Sequence, residues 1–238
     1  MPEAALRRAT TYPYRIPSSS YIFEDGRDTP LRGDFNHDDR VPVLAVGSNQ
    51  SPEQLARKFD GPGWGAIPTV RVELNGFDSV YSPHITAYGS IAATLHQAPG
   101  ATVGLFVNWL TPVQLKRMHE TELVNENYSF GALDRISIDT EVGPRPNRIH
   151  LYTSNHGALS HGGTPVPLGE IPARGRTWTA MAQSEIQHHV RDHLDAEKSL
   201  NEFILESIFD PQIRRHRTDR LRRNSHAFAH QDWSTLAV

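Results

Sequence analysis

Glu122 closes the segment Thr111–Glu122, TPVQLKRMHETE. Thr111 is a good N-cap and Pro112 suits the first helical position, so a short helix is predicted there. At about 3.6 residues per turn, Leu115, Met118 and Glu122 share one face, and Glu120 falls nearly opposite. Glu122 is then a carboxylate carried on an apolar face near a helix C-terminus. Burial and the negative end of the helix dipole both predict a raised pKa, which suits proton transfer near neutral pH. The plainer alternative is that Glu122 leaves the helix end and pairs with Arg117 or Arg135.

A second candidate lies in Val41–Phe59, VPVLAVGSNQSPEQLARKF. It reads as a buried strand (Val41–Val46), a tight turn (Gly47, Ser48, Asn49) and a capped helix. Ser51 is the expected N-cap, Pro52 the first helical residue, and Gln54 stands where a capping box needs it. Leu55 and Phe59 mark the core side of the helix. A strand running into a helix start aims free backbone N–H groups at the turn, a natural place for a carboxylate or other anion. An ordinary strand–helix corner would look the same.

Other reactive residues read more plainly. Ser48 lacks the G-x-S-x-G context of a nucleophile elbow. Glu185, His189 and His193 have metal-ligand spacing without an H-E-x-x-H pattern, and read as a polar stripe facing solvent. His84, in SPHITAYG, precedes a buried strand and either lines a pocket beside Tyr88 or makes a structural hydrogen bond. Trp109, after Asn108, reads as core. Asp34, Asn36, His37, Asp38 and Asp39 read as a solvated acidic loop, because no regular ligand spacing appears. The run Ile213–Arg223 holds six arginines. It reads as a solvated helix face, with phosphate or an acidic partner as the functional alternative.

These residues need a frame. The chain has 238 residues, 37% of them hydrophobic, a net charge of −3 and no cysteine. That excludes disulfides, thiolate nucleophiles and cysteine-based zinc sites, and fits a reducing compartment. No apolar run is long enough for a membrane span, and a cytoplasmic protein is expected. Residues 1–40 read as an irregular arm. GPGWG (Gly61–Gly65) is a loop, since its glycine spacing is not that of a dinucleotide fingerprint. Strands are predicted at Thr69–Leu74, Ser90–His96, Val103–Leu110, Arg135–Val142, Arg148–Thr153 and Pro165–Ile171. A Pro99–Gly100 turn makes a hairpin of the second and third. Helical periodicity returns from Trp178 onward. The sum is an α+β chain with one core: an arm (1–40), a strand-rich domain (41–180) and a helical C-terminal extension (181–238).

The order of these features resembles the γ-glutamylcyclotransferase-like (AIG2-like) family. That family opens with a strand, Tyr-Gly-Ser-Asn and a short helix, matched here by Val46, Gly47, Ser48, Asn49 and Leu55. A G-x-A-T-like strand, a Pro-Gly turn and a V-x-G-x-hydrophobic strand follow. They correspond to Ser90–Thr94, Pro99-Gly100 and Val103–Phe106. Then comes a helix ending in Leu-Asp-x-x-Glu and an aromatic, matched by Met118–Glu122 and Tyr128. The agreement runs from Val41 to Tyr128. The family tyrosine is Val46 here and its aspartate is His119.

The resemblance implies a small closed mixed β-barrel of about six strands with flanking helices, extended here by C-terminal helices. It also implies an intramolecular reaction, in which the α-amine of a γ-glutamyl amide attacks its own γ-carbonyl to give 5-oxoproline and a free amine. No protein nucleophile, metal or cofactor is required. Glu122 is then the expected general acid/base. Val46, Gly47, Ser48, Asn49, Tyr88 and Tyr128 are the expected substrate contacts. The expected partner is a small γ-glutamyl molecule, not a membrane or nucleic acid. A non-catalytic member of the same fold, binding a small acidic ligand or a protein, is the alternative.

Overall fold

A computed structural model describes residues 2–122 and 127–237. The elements run α1 (Pro2–Thr10), β1 (Tyr21–Glu24), β2 (Arg27–Pro30), β3 (Val41–Ala45), α2 (Pro52–Lys58), β4 (Ile67–Ile85), β5 (Ile91–Leu110) and α3 (Pro112–Glu122). They continue with β6 (Tyr128–Asp134), β7 (Ile138–Thr140), β8 (Arg148–Ser154), β9 (Ser160–His161), β10 (Thr164–Pro165) and β11 (Ala173–Arg174). Three helices follow, α4 (Gln183–Asp195), α5 (Leu200–Phe209) and α6 (Pro211–Leu221), then β12 (Trp233–Thr235).

The α+β class holds, but the expected closed barrel does not form. The main sheet runs β12-β6-β8-β3-β5-β4-β1-β2, with β11 on β5 and β7 on β4. Its path has two free ends, β2 and β12. The β2 edge is short, fully exposed and ends in Pro30, which is how an open edge avoids further pairing. The sheet is mixed: β3 lies parallel to β8 through Val43 and His150, and antiparallel to β5.

Three local expectations also change. Pro99–Gly100 does not make a hairpin. β5 runs through it, and the hairpin partner is the 19-residue β4. Gly76 and Gly100 both take positive φ, and four β5 residues (98–101) face Gly76 alone, so the turn chemistry is spent on a wide bulge. Arg135–Val142 yields only β7, because Arg135 sits at φ 53; the longer strand here is β6. Within Pro165–Ile171, only Pro165 joins a strand.

The arm is not irregular. α1 packs on α4 and α5, and β1 pairs with both β2 and β4. Ala9 and Tyr12 of the arm, Leu44 and Leu105 of the sheet, and Val190 and Phe203 of the C-terminal helices all belong to one buried cluster. Arg217, only 2% exposed, bolts the helices together. Its guanidinium pairs with Asp195 and Glu206 and donates to the Phe203 carbonyl.

Candidate functional site

The corner between β3 and α2 is held from below by buried polar side chains. Ser79 Oγ donates to the Val46 carbonyl at 2.8 Å, and Gln50 Nε2 donates to the carbonyls of Val46 and Gly47. Tyr21 Oη donates to the Gln50 carbonyl, and Asn108 Nδ2 to the Asn49 carbonyl. These contacts use carbonyls. The backbone N–H groups of Gly47, Ser48 and Asn49 have no partner among the described residues. Ser51 caps α2 by accepting from the Glu53 N–H. The expected capping box stays open, since the Ser51 N–H turns to Ser48 and the Gln54 side chain to Arg57. Such a box does close on α3, between Thr111 and Gln114.

Glycine at position 47 is required by a close approach. A Cβ there would lie 2.2 Å from Tyr12 Oη and 2.8 Å from Ala93 Cβ. Tyr12 Oη in turn accepts from the Ala93 N–H at 3.0 Å, while Tyr128 Oη donates to the Ala93 carbonyl at 3.1 Å. Two phenols thus take up both backbone polar groups of one β5 residue. Burial pushes the pKa values of Tyr12, Tyr88 and Tyr128 well up, so all three stay protonated.

Glu122 neither turns to solvent nor pairs with Arg117 or Arg135. Those arginines bind Glu120 and Asp232. The Glu122 side chain is 17% exposed, and its Oε1 accepts from Asn49 Nδ2 at 2.8 Å and from Lys58 Nζ. Lys58 is buried. It also reaches Thr121 Oγ1 at 3.1 Å, joining α2 to α3. The expected rise in the Glu122 pKa is reversed. Burial pushes it up, but the Lys58 ammonium, the Lys58 and Asn49 hydrogen bonds and His84 together bring it below the usual carboxylate value. The group is ionised at neutral pH.

Val46, Gly47, Ser48, Asn49, Tyr88, Glu122 and Tyr128 all line a single cavity of about 1060 Å3. His84 lines it as well. Burial, with help from His156 and Arg214, pushes its pKa down to about 4, so its imidazole is neutral. Among the described residues its Nδ1 is buried without a partner, as is Asn49 Oδ1. The His84 and His156 rings lie 5.6 Å apart.

Sequence reasoning missed several lining residues, Arg8 and Tyr12 from α1 and its exit and Lys58, while Arg214, Arg215 and Arg222, from α6 and just beyond it, belong to the arginine run for which phosphate or an acidic partner is the functional alternative. Lys58 was findable, because it lies three residues after Leu55 and shares its inward face. The α1 residues carried no comparable signal. Trp109 is core, stacked edge-on by Phe35 and tilted against His37, so the acidic loop's histidine packs rather than ligates. His189 meets His161 at 4.3 Å. Among the described residues no three His, Asp or Glu side chains converge as metal ligands, and no helix is long and apolar enough to cross a membrane.

No protein-family model matches the chain, and no curated protein matches it. Among solved structures it is similar to a gamma-glutamyl cyclotransferase, with a TM-score of 0.38 and 17% identity over 49% of this chain and 67% of that one. It is also similar to YkqA from Bacillus subtilis, with a TM-score of 0.38 and 13% identity over 73% of this chain. The match spans 55%, about half, of YkqA. Likeness at that level assigns neither activity nor substrate.

Proposed function

We propose that the protein is a γ-glutamylcyclotransferase-like enzyme that cyclises a γ-glutamyl amide to 5-oxoproline and releases an amine. One observation carries this reading: an ionised carboxylate, Glu122, is hydrogen-bonded to Asn49 in a cavity also lined by Gly47, Ser48 and Asn49, whose N–H groups have no partner among the described residues. The reaction needs a proton acceptor and an anion cradle side by side, and these residues supply both. Glu122 takes a proton from the substrate ammonium. The freed amine attacks the γ-carbonyl, a C–N bond closes the ring, and the original amide C–N bond breaks. Glu122 returns that proton to the leaving amine, then takes the second proton from the new ring nitrogen and passes it to the released amine or to solvent. The turn's N–H groups hold the substrate carboxylate or the oxyanion, and the buried tyrosines fix the folded pose.

Lys58 sets a condition on this chemistry. Paired with it, Glu122 is ionised but weakly basic. A substrate carboxylate that draws the ammonium toward itself restores that basicity, so the base is armed by what it acts upon. The same pairing favours a second reading, a cavity that binds an acidic ligand without turnover. The test is a panel of γ-glutamyl amides assayed for 5-oxoproline. The expected outcome is turnover that Glu122→Gln lowers about 10^2- to 10^4-fold with the fold retained by circular dichroism. Ligand binding without turnover across the panel would establish the second reading instead.

A further inference from the structure

The cavity is much larger than a γ-glutamyl group needs, and its charge is unbalanced. Of its cationic side chains, Lys58 pairs with Glu122, Arg57 with Glu53 and Arg222 with Asp219. Arg8, Arg214 and Arg215 line the same space with no carboxylate in ion-pair reach among the described residues. Two of these come from α6, where positions 214, 215, 218 and 219, with 222 just beyond the helix, follow helical spacing and all line the cavity. Arg214 is preset. Its Nη1 donates to the Ser207 and Ile208 carbonyls at the end of α5, and Nε and Nη2 have no hydrogen-bond partner among the described residues. Thr218 Oγ1 accepts from the Ile85 N–H and pins the helix to β4.

His84 lines the cavity together with Glu122 and the α6 arginines. Glu122 and Arg214 both act on it electrostatically, and its neighbour His156 feels Arg222 and Asp219. Beyond His156, Asp219 and Arg222 the space continues into a second cavity of about 620 Å3 that adds Arg223. The turn and Glu122 therefore share one cavity with the α6 arginines, and His84 is within electrostatic reach of both Glu122 and Arg214.

We propose that the α6 wall is a second anion subsite, which holds a phosphate or carboxylate carried by the leaving amine. This rests on the cyclotransferase reading for the direction of the substrate, with the glutamyl end at the turn. Arginine suits the task because its planar fork meets both oxyanions bidentately.

The test compares γ-glutamyl ethylamide, γ-glutamyl-β-alanine and γ-glutamyl-O-phosphoethanolamine, matched in reach and differing in terminal charge. An anionic tail is expected to raise kcat/KM about tenfold or more over the neutral one, an advantage that shrinks with added salt. Phosphate ahead of carboxylate, or the reverse, identifies the source of the anion. Arg215 is exposed and has no ion pair among the described residues, so Arg215→Gln and Arg215→Glu are expected to fold. The first should reduce the anionic-to-neutral ratio and the second should push it below unity. Turnover without a charge preference overturns the subsite and leaves the enzyme reading standing. If no amide is turned over, the enzyme reading fails, and O-phosphoethanolamine binding by calorimetry decides the subsite. Binding lost in Arg215→Glu supports an anion site, and no binding by the unsubstituted protein overturns it.

Discussion

At the level of single side chains, the Lys58 ammonium governs the Glu122 carboxylate. Lys58→Met is expected to raise the Glu122 pKa, moving the acid limb of kcat/KM to higher pH. Stability should follow the same group. A carboxylate with a depressed native pKa contributes stability that is present above its unfolded pKa and lost as pH falls through the native one. The unsubstituted protein should therefore lose melting temperature as pH drops through the carboxylate range, from about 5 to about 3. Lys58→Met should abolish that dependence and cost about 3 kcal/mol at neutral pH, because it strands a largely buried charge. Melting curves across that range check both. Glu122 was legible from helical spacing, since Met118 is buried and Glu120 faces out against Arg117. Its pKa was not. Periodicity says which face a residue occupies on its own helix, and Lys58 approaches from a different one.

Among elements, the β3–α2 corner works only because α1 ends where it does. Tyr12 fills the space a Cβ at position 47 would occupy. Gly47→Ala is expected to lower stability by about 1–3 kcal/mol through overpacking. Tyr12→Phe should recover part of that loss in the double variant, because it removes the clashing hydroxyl while giving up its bond to Ala93. A double-mutant cycle in denaturant reads the coupling. The corner itself was readable: the strand, the Ser51 cap and Pro52 stand as the local signals say. The partner was not, since nothing in the first twelve residues says where Tyr12 docks. The Pro99–Gly100 bulge shows the same limit from the other side. A Pro-Gly pair states that the backbone must bend, and only the pairing of β4 with β5 decides between a bulge and a hairpin.

At the scale of the whole molecule, one buried cluster passes through the arm, the sheet and the C-terminal helices. The Ala9 carbonyl accepts from Ser90 Oγ at 2.9 Å and from Gln187 Nε2 at 3.2 Å, tying α1 to β5 and α4. Removing residues 2–14 should therefore lower the melting temperature by about 10 °C and weaken ligand binding, both measured on the purified protein. An unchanged melting temperature would mean the arm is dispensable to the fold. The six-arginine run, read from sequence as one solvated face, divides by direction. Arg217 is interior, Arg214 and Arg215 face the cavity, and Arg220 caps the Leu194 carbonyl of α4. A low-amphipathicity helix conceals such a division, because every face carries charge.

The walls of the cavity are drawn from Arg8 near one end of the chain and Arg222 near the other. A ribosome adding about 5–20 residues per second exposes the Gly47 corner and Glu122 for some seconds before α6 emerges. In that interval the nascent chain holds half a cleft, with Lys58 and Glu122 wet and the arginine wall missing. Ligand capture should thus begin only after synthesis has passed α6, and a bound anion would report that this wall has been made.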